Sequence, residues 1–220
     1  MFHFKILALF LLIFVNLKGQ NSVFSIKPCL GVSACQIHGD NYTGYDKLGF
    51  VGGVYVNAKL KKKISLEFGL LFIQKGAAHY QNPEKFDYTY YYLNLNYLEL
   101  PLIFRYALNI FFLTAGPSFG YLIDYYEGNE LGNNTGTYPF KSFEYSFNVG
   151  LGMQFAKNFS VELRTNNSFV TIRPFPNNFK PYYNNFIATY FNNGYYSNIL
   201  TLTLYYKINP KTKSGNQPKT

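Results

Sequence analysis

The sequence predicts an all-β protein: an eight-stranded up-and-down antiparallel transmembrane β-barrel, preceded by a cleaved signal peptide. Apolar residues recur with period two through eight segments of the chain, the mark of strands with two different faces. The connections between these segments alternate between very short and long. The composition joins 48% hydrophobic and 20% aromatic residues to only 14% charged ones. Disordered chains are poor in aromatics and rich in charge, which excludes disorder, and an average cytosolic enzyme carries about 25% charged residues, which argues against that class. A membrane helix needs about 20 consecutive apolar residues, and no such run occurs.

The 220 residues are expected to divide into a signal peptide (1–20), a barrel (21–208) and a flexible basic tail (209–220). In the first part Lys5 supplies a positive start, Ile6–Val15 is unbroken apolar sequence and Gly19 is a small residue near the cut. Ten apolar residues are too few to span a bilayer, and no cysteine lies near the cut to make a lipoprotein. Loss of Lys5 and Lys18 takes the net charge from +9 to +7. The surplus gathers at Lys61–Lys63 and in the tail at Lys211, Lys213 and Lys219. A basic chain raises the question of nucleic acid. Export and the lack of any basic stripe along the segments argue against it.

The segments are Phe24–Ile37, Leu48–Leu60, Ile64–Tyr80, Leu93–Tyr106, Ile110–Tyr126, Ser142–Phe155, Phe159–Ile172 and Tyr196–Ile208. One face of each is strongly apolar, as in Ile64, Leu66, Phe68, Leu70 and Phe72, or Leu200, Leu202 and Leu204. The opposite face is small or polar, as in Ser65, Glu67 and Gly69. The charges test the register. Lys27, Lys59, Glu67, Lys75, Glu99, Arg105, Asp124, Glu144, Glu162, Arg164 and Lys207 are all expected on the polar face. Cys29 and Cys35 share one strand, so about 20 Å separates them. A disulfide needs Cα atoms within about 7 Å, so two free thiols are expected.

Short links at Lys61–Lys63, Ala107–Asn109 and Ala156–Asn158, with long ones between, fit an outer-membrane barrel. A lipocalin-like soluble barrel would turn its apolar face inward. An eight-stranded barrel has an interior only wide enough for side chains to fill, and the apolar face is too bulky for it. The small, polar face belongs inside and the apolar face against lipid. Segments of 13 to 17 residues exceed the about 9–11 that cross a bilayer, so a β extension is expected on the long-loop side. Tyr88, Tyr90, Tyr91, Tyr92, Tyr125, Tyr126, Tyr195 and Tyr196 crowd that side and are expected to form an interfacial girdle; a ligand-stacking platform is their rival role.

The local sequences Gly69–Ala77 (GLLFIQKGA), Tyr97–Tyr106 (YLELPLIFRY) and Gly116–Ile123 (GPSFGYLI) resemble the PorT-like outer-membrane β-barrel proteins of Bacteroidota. Phe24–Ser33, Gly49–Val56 and Gly150–Phe169 agree more loosely, and the likeness weakens after Phe169. The resemblance implies an outer-membrane location, short turns toward the periplasm and long loops outward. It transfers no catalytic residue; one namesake is linked to a secretion machinery. The cysteine pair, the residues after the last segment and the repeated Asn-Asn of the fourth long loop (Arg173–Tyr195) depart from the pattern.

The candidate site is the lumen, where Lys27, Lys59, Glu67, Glu99, Arg105, Glu144, Glu162, Arg164 and Lys207 should meet. A charged channel or proton relay is one reading. An ion-pair network that plugs the barrel is favoured, because eight strands leave no open water column. His38 and His79 are expected at the outer rim without the Ser/His/Asp spacing of an acyl-transfer enzyme. No catalytic residue, cofactor or metal is expected. The expected partners are outer-membrane lipid and a protein of an envelope or secretion complex, which the tail could help to dock; nucleic acid is not. A lipid or glycan binder or enzyme working through the outer loops is the alternative, and a small pore ranks third.

Overall fold

A computed structural model describes residues 24–40, 42, 44–175 and 193–208. The signal peptide, the tail and most of the fourth long loop expected from the sequence lie outside the described residues.

The strands in chain order are β1 (Phe24–His38), β2 (Lys47–Lys59), β3 (Ile64–His79), β4 (Tyr91–Leu108), β5 (Phe111–Asn129), β6 (Gly132–Asn133), β7 (Phe143–Gln154), β8 (Phe159–Ser168), β9 (Arg173–Pro174) and β10 (Gly194–Tyr206). Eight are long; β6 and β9 are two-residue additions within loops. Each long strand pairs antiparallel with its neighbour, and β1 pairs with β10 from Cys29↔Tyr205 to His38↔Tyr196. That last ladder closes the ring, so no sheet edge is left to satisfy in lipid.

Alternation sets the two faces. On β10 Leu200, Leu202 and Leu204 are exposed, while Ile199, Thr201, Thr203 and Tyr205 are buried. The exposed large hydrophobics recur on all eight long strands, far beyond the apolar patches of a few hundred Å² that soluble monomers show. Aromatics gather on this wall at the short-turn end, where Tyr106, Phe111, Phe155, Phe159 and Tyr206 are exposed, as an interfacial girdle does.

Toward the long-loop end the wall turns polar. Gln74 Nε2 donates to Asn96 Oδ1 at 3.2 Å, and Asn96 Nδ2 donates to Asp124 Oδ1 at 2.6 Å. Inside, apolar side chains are added in the same direction, with Ile37, Leu93 and Leu95 buried alongside Lys75 toward the long-loop end. Toward the long loops the interior therefore mixes apolar side chains with buried ion pairs, while the outer wall loses its apolar character.

Two local expectations are corrected. Asp124 is not on the lumen face. The β4–β5 register shifts between Asn96↔Asp124 and Tyr97↔Leu122, leaving Ile123 as the extra residue of a bulge. The bulge turns Asp124 to the exposed outer wall. The seventh segment also ends early, because after Ser168 the chain leaves the ladder and folds Ile172 into the barrel mouth, fully buried. Its backbone is held there by Lys141 N–H to Ile172 O at 2.8 Å and Ile172 N–H to Tyr195 O at 2.9 Å.

Candidate functional site

The lumen is filled in layers. At the short-turn end Lys27 Nζ meets Glu67 Oε1 at 2.6 Å, and Asn57 Nδ2 donates to the same oxygen at 3.0 Å. Arg105 Nη1 lies 3.5 Å from that oxygen, and its guanidinium stacks 3.3 Å from the centroid of the Phe112 ring. Just above, Glu162 takes Arg164 in a forked pair, 2.9 Å at each oxygen, and also accepts from Thr114 Oγ1. Arg164 also donates to Tyr55 Oη at 2.6 Å and to Tyr205 Oη at 3.3 Å.

A second network lies higher and spans β3, β4, β7, β8 and β10. Lys75 Nζ contacts Glu144 Oε1 at 2.8 Å, Glu99 Oε2 at 2.9 Å and Asn166 Oδ1 at 2.9 Å. Glu144 also accepts from Ser146 and Ser197, each at 2.6 Å, and Asn166 Nδ2 donates to Glu99 Oε1 at 2.8 Å. Between the two networks sit Cys29, Val51, Leu71 and Ile73, around a residual cavity of only about 20 Å³. That is room for about one water, which needs roughly 10–15 Å³ by this measure.

Of the nine residues singled out from the sequence, seven belong to these two networks, while Lys59 and Lys207 line the short-turn mouth. Lys75, the hub of the upper network, was legible only as a polar-face charge. Tyr55, Tyr205 and Asn166 carried no charge to mark them. The expectation of a wholly small and polar interior is corrected by Val51, Leu71, Ile73, Ile103 and Ile199, all buried. Close packing explains them: long charged side chains converge in two layers, and the gaps between need bulk without hydrogen-bonding demand.

The long-loop end is capped. Phe140 and Ile172 join the buried apolar cluster, with Tyr91, Tyr125 and Tyr195 packed against it. Arg173 forks onto Glu127 at 2.7 and 2.9 Å and stacks 4.5 Å from the Tyr195 ring centroid. The tyrosine girdle is corrected accordingly. Tyr91, Tyr125 and Tyr195 turn inward, and Tyr91 donates to Glu127 at 2.9 Å; Tyr196 is buried, while Tyr88 and Tyr126 stay exposed. Apolar rings with one polar end fit a capped core as well as they fit a membrane surface.

His79 Nε2 donates to Asp87 Oδ2 at 2.7 Å, and its ring stacks on Tyr42 at 4.7 Å. The side chain and backbone N–H of Thr89, then His79, hold the Asp87 carboxyl down at about 2. These contacts shape the loop, and among the described residues no Ser or Cys nucleophile joins them. Burial in the loop after β1 pushes the Asp40 carboxyl up to about 6. Cys29 and Cys35 are free thiols, both buried. Among the described residues no group of three His, Cys, Asp or Glu is placed to hold a metal ion.

Residues 19–172 match the family described as outer membrane protein beta-barrel domain. The chain belongs to that family. It is an outer-membrane β-barrel protein, and its apolar outer wall faces lipid. Among solved structures it is similar to Ail, the attachment invasion locus protein of Yersinia pestis, with 11% identity, TM-score 0.46, and 84% of this chain and 97% of that one covered. It is also similar to Neisserial surface protein A (12%, TM-score 0.44, 85% and 98%) and to Acinetobacter baumannii CarO (7%, TM-score 0.44, 85% and 99%). A comparison with curated proteins finds no match.

Proposed function

We propose that this protein is a non-enzymatic, non-conducting barrel that serves as a scaffold or accessory subunit of an envelope or secretion complex in the outer membrane. The observation that carries the reading is the occluded lumen. Two ion-pair networks and the apolar layer between them leave about 20 Å³ of free space at mid-height, and Phe140 and Ile172 close the loop end. A barrel so filled offers its two ends and its outer wall as working surfaces. The likeness of YLELPLIFRY and GPSFGYLI to PorT-like proteins of Bacteroidota supports a place beside secretion machinery. In such barrels short turns face the periplasm, which points the lysine-rich end toward that compartment.

The test is extraction from native membranes in mild detergent, followed by planar-bilayer recording on the purified barrel. A stoichiometric copurifying protein and a silent bilayer are expected. A clean monomer in several detergents would remove the scaffold, and stable large unitary currents would remove the plug.

A further inference from the structure

The short-turn mouth opens into a cavity of about 240 Å³. Lys59, Lys61, Lys62, Lys63, Lys157 and Lys207 line it, and Lys27 and Arg105 form its floor. Glu67 is the sole carboxylate in that lining, and it is already engaged by Lys27 and Arg105. Among the described residues none of the six lining lysines has a carboxylate within ion-pair distance. At the floor the buried Nη1 of Arg105 reaches Glu67 only as an ion pair at 3.5 Å and makes no hydrogen bond among the described residues. Residues 209–220, which follow β10 in sequence, hold three lysines and no Asp or Glu.

The lysines are carried on backbone that is held in place. Ala107 N–H bonds Lys63 O at 2.8 Å, Lys207 N–H bonds Asn158 O at 2.7 Å, and Gln154 Nε2 bonds Lys157 O at 3.0 Å. Three turns from different parts of the chain are thus tied to one rim. Like charges so confined repel one another, so the mouth carries positive charge that no carboxylate among the described residues meets. Lysines act as point charges for phosphate oxygens, while Arg adds a fork. A multiply charged tetrahedral anion satisfies several of them at once, which a single carboxylate does not. The outer wall at this height carries the aromatic residues of the membrane interface, which is also the level of phospholipid headgroups.

We propose that the short-turn mouth of the barrel is a binding site for a phosphate-bearing anion, either a free phosphate compound or the headgroup of an anionic phospholipid. The site stands independently of the scaffold reading, since it needs no protein partner and no open lumen.

The barrel in zwitterionic micelles is titrated calorimetrically with pyrophosphate at about 50 mM NaCl, with NaCl at matched ionic strength as the blank. In parallel it is placed in nanodiscs of phosphatidylcholine with or without phosphatidylglycerol, and retained lipid is read by native mass spectrometry. Wild type is expected to bind in at least one arm. The double variant Lys59→Gln/Lys207→Gln should weaken binding at least tenfold in that arm. Lys85→Gln/Lys141→Gln, at the far end of the barrel, should leave it unchanged. Heat-modifiable electrophoretic mobility checks that each variant is folded. Pyrophosphate binding alone assigns a free phosphate compound, and selective phosphatidylglycerol retention alone assigns a lipid headgroup. No binding in either arm, or equal weakening by both variants, overturns the site. Capture of poly-glutamate with neither phosphate probe bound overturns the phosphate class and points instead to an acidic protein segment.

Discussion

Lys75→Met isolates the upper network. The ammonium lies 2.8 Å from Glu144 and 2.9 Å from Glu99, with side-chain exposures of 0% for Lys75, 0% for Glu144 and 3% for Glu99. Removing it leaves two carboxylates facing each other without a counter-charge. The adjoining cavity of about 20 Å³ admits too little water to replace it. Stripping one partner from a buried pair costs about 3–5 kcal/mol. With a urea dependence of roughly 2–3 kcal/mol per molar for a chain of this size, the unfolding midpoint should fall by about 1–2 M. The chain has no Trp, so far-UV circular dichroism and heat-modifiable mobility in micelles report unfolding. The triple variant Lys75→Met/Glu99→Gln/Glu144→Gln removes the stranded charges and should recover most of the loss, because buried ion pairs are often replaceable at little cost. An unchanged midpoint for Lys75→Met, or a triple variant no better than the single, would refute the account of a dry, mutually dependent network.

Three more outcomes follow from the geometry. Leu202→Lys, at the centre of the outward face of β10, should destabilise by about 2–4 kcal/mol in bilayers, whereas Asn198→Lys near the polar end should cost about 0–1 kcal/mol; equal costs in equilibrium refolding into liposomes would contradict the placement of the wall. Gly152→Leu drives a side chain into the Phe112 ring and dislodges the platform under Arg105, so folding yield in micelles should drop sharply while Ala156→Leu, in the turn beyond, leaves it intact. Asp40 carries a raised folded value, near 6, so the folded state holds its proton more tightly than the unfolded chain does, at about 3.9. Its contribution to stability is greatest below about pH 4 and is lost as pH rises through 6. Asp40→Asn should flatten that window in pH-dependent unfolding, and an unaltered profile would show that the carboxyl is hydrated.

Much of this molecule was legible along the chain. Period-two alternation placed all eight long strands, most of their ends within two residues of those observed, because a strand with one lipid face and one packed face must alternate. Volume then settled which face is inside, since Phe and Leu of the apolar set overfill an eight-stranded interior. The charges followed the same register except Asp124, where the bulge at Ile123 broke the count. A bulge is a one-residue event, visible only when two strands are laid side by side.

What tertiary structure alone decided is who meets whom across the lumen. Lys75 and Glu144 lie 69 positions apart, and Arg173 and Glu127 lie 46 apart. Alternation says that each points inward but not at what height, because height depends on the stagger of every ladder around the closed ring. The same holds for the tyrosines of the loop end. Their composition suits a membrane interface or a capped core equally, and only the position of Phe140 and Ile172 over the opening chose between them. Local pattern thus determined the wall of the barrel, and the register of a closed sheet determined its contents.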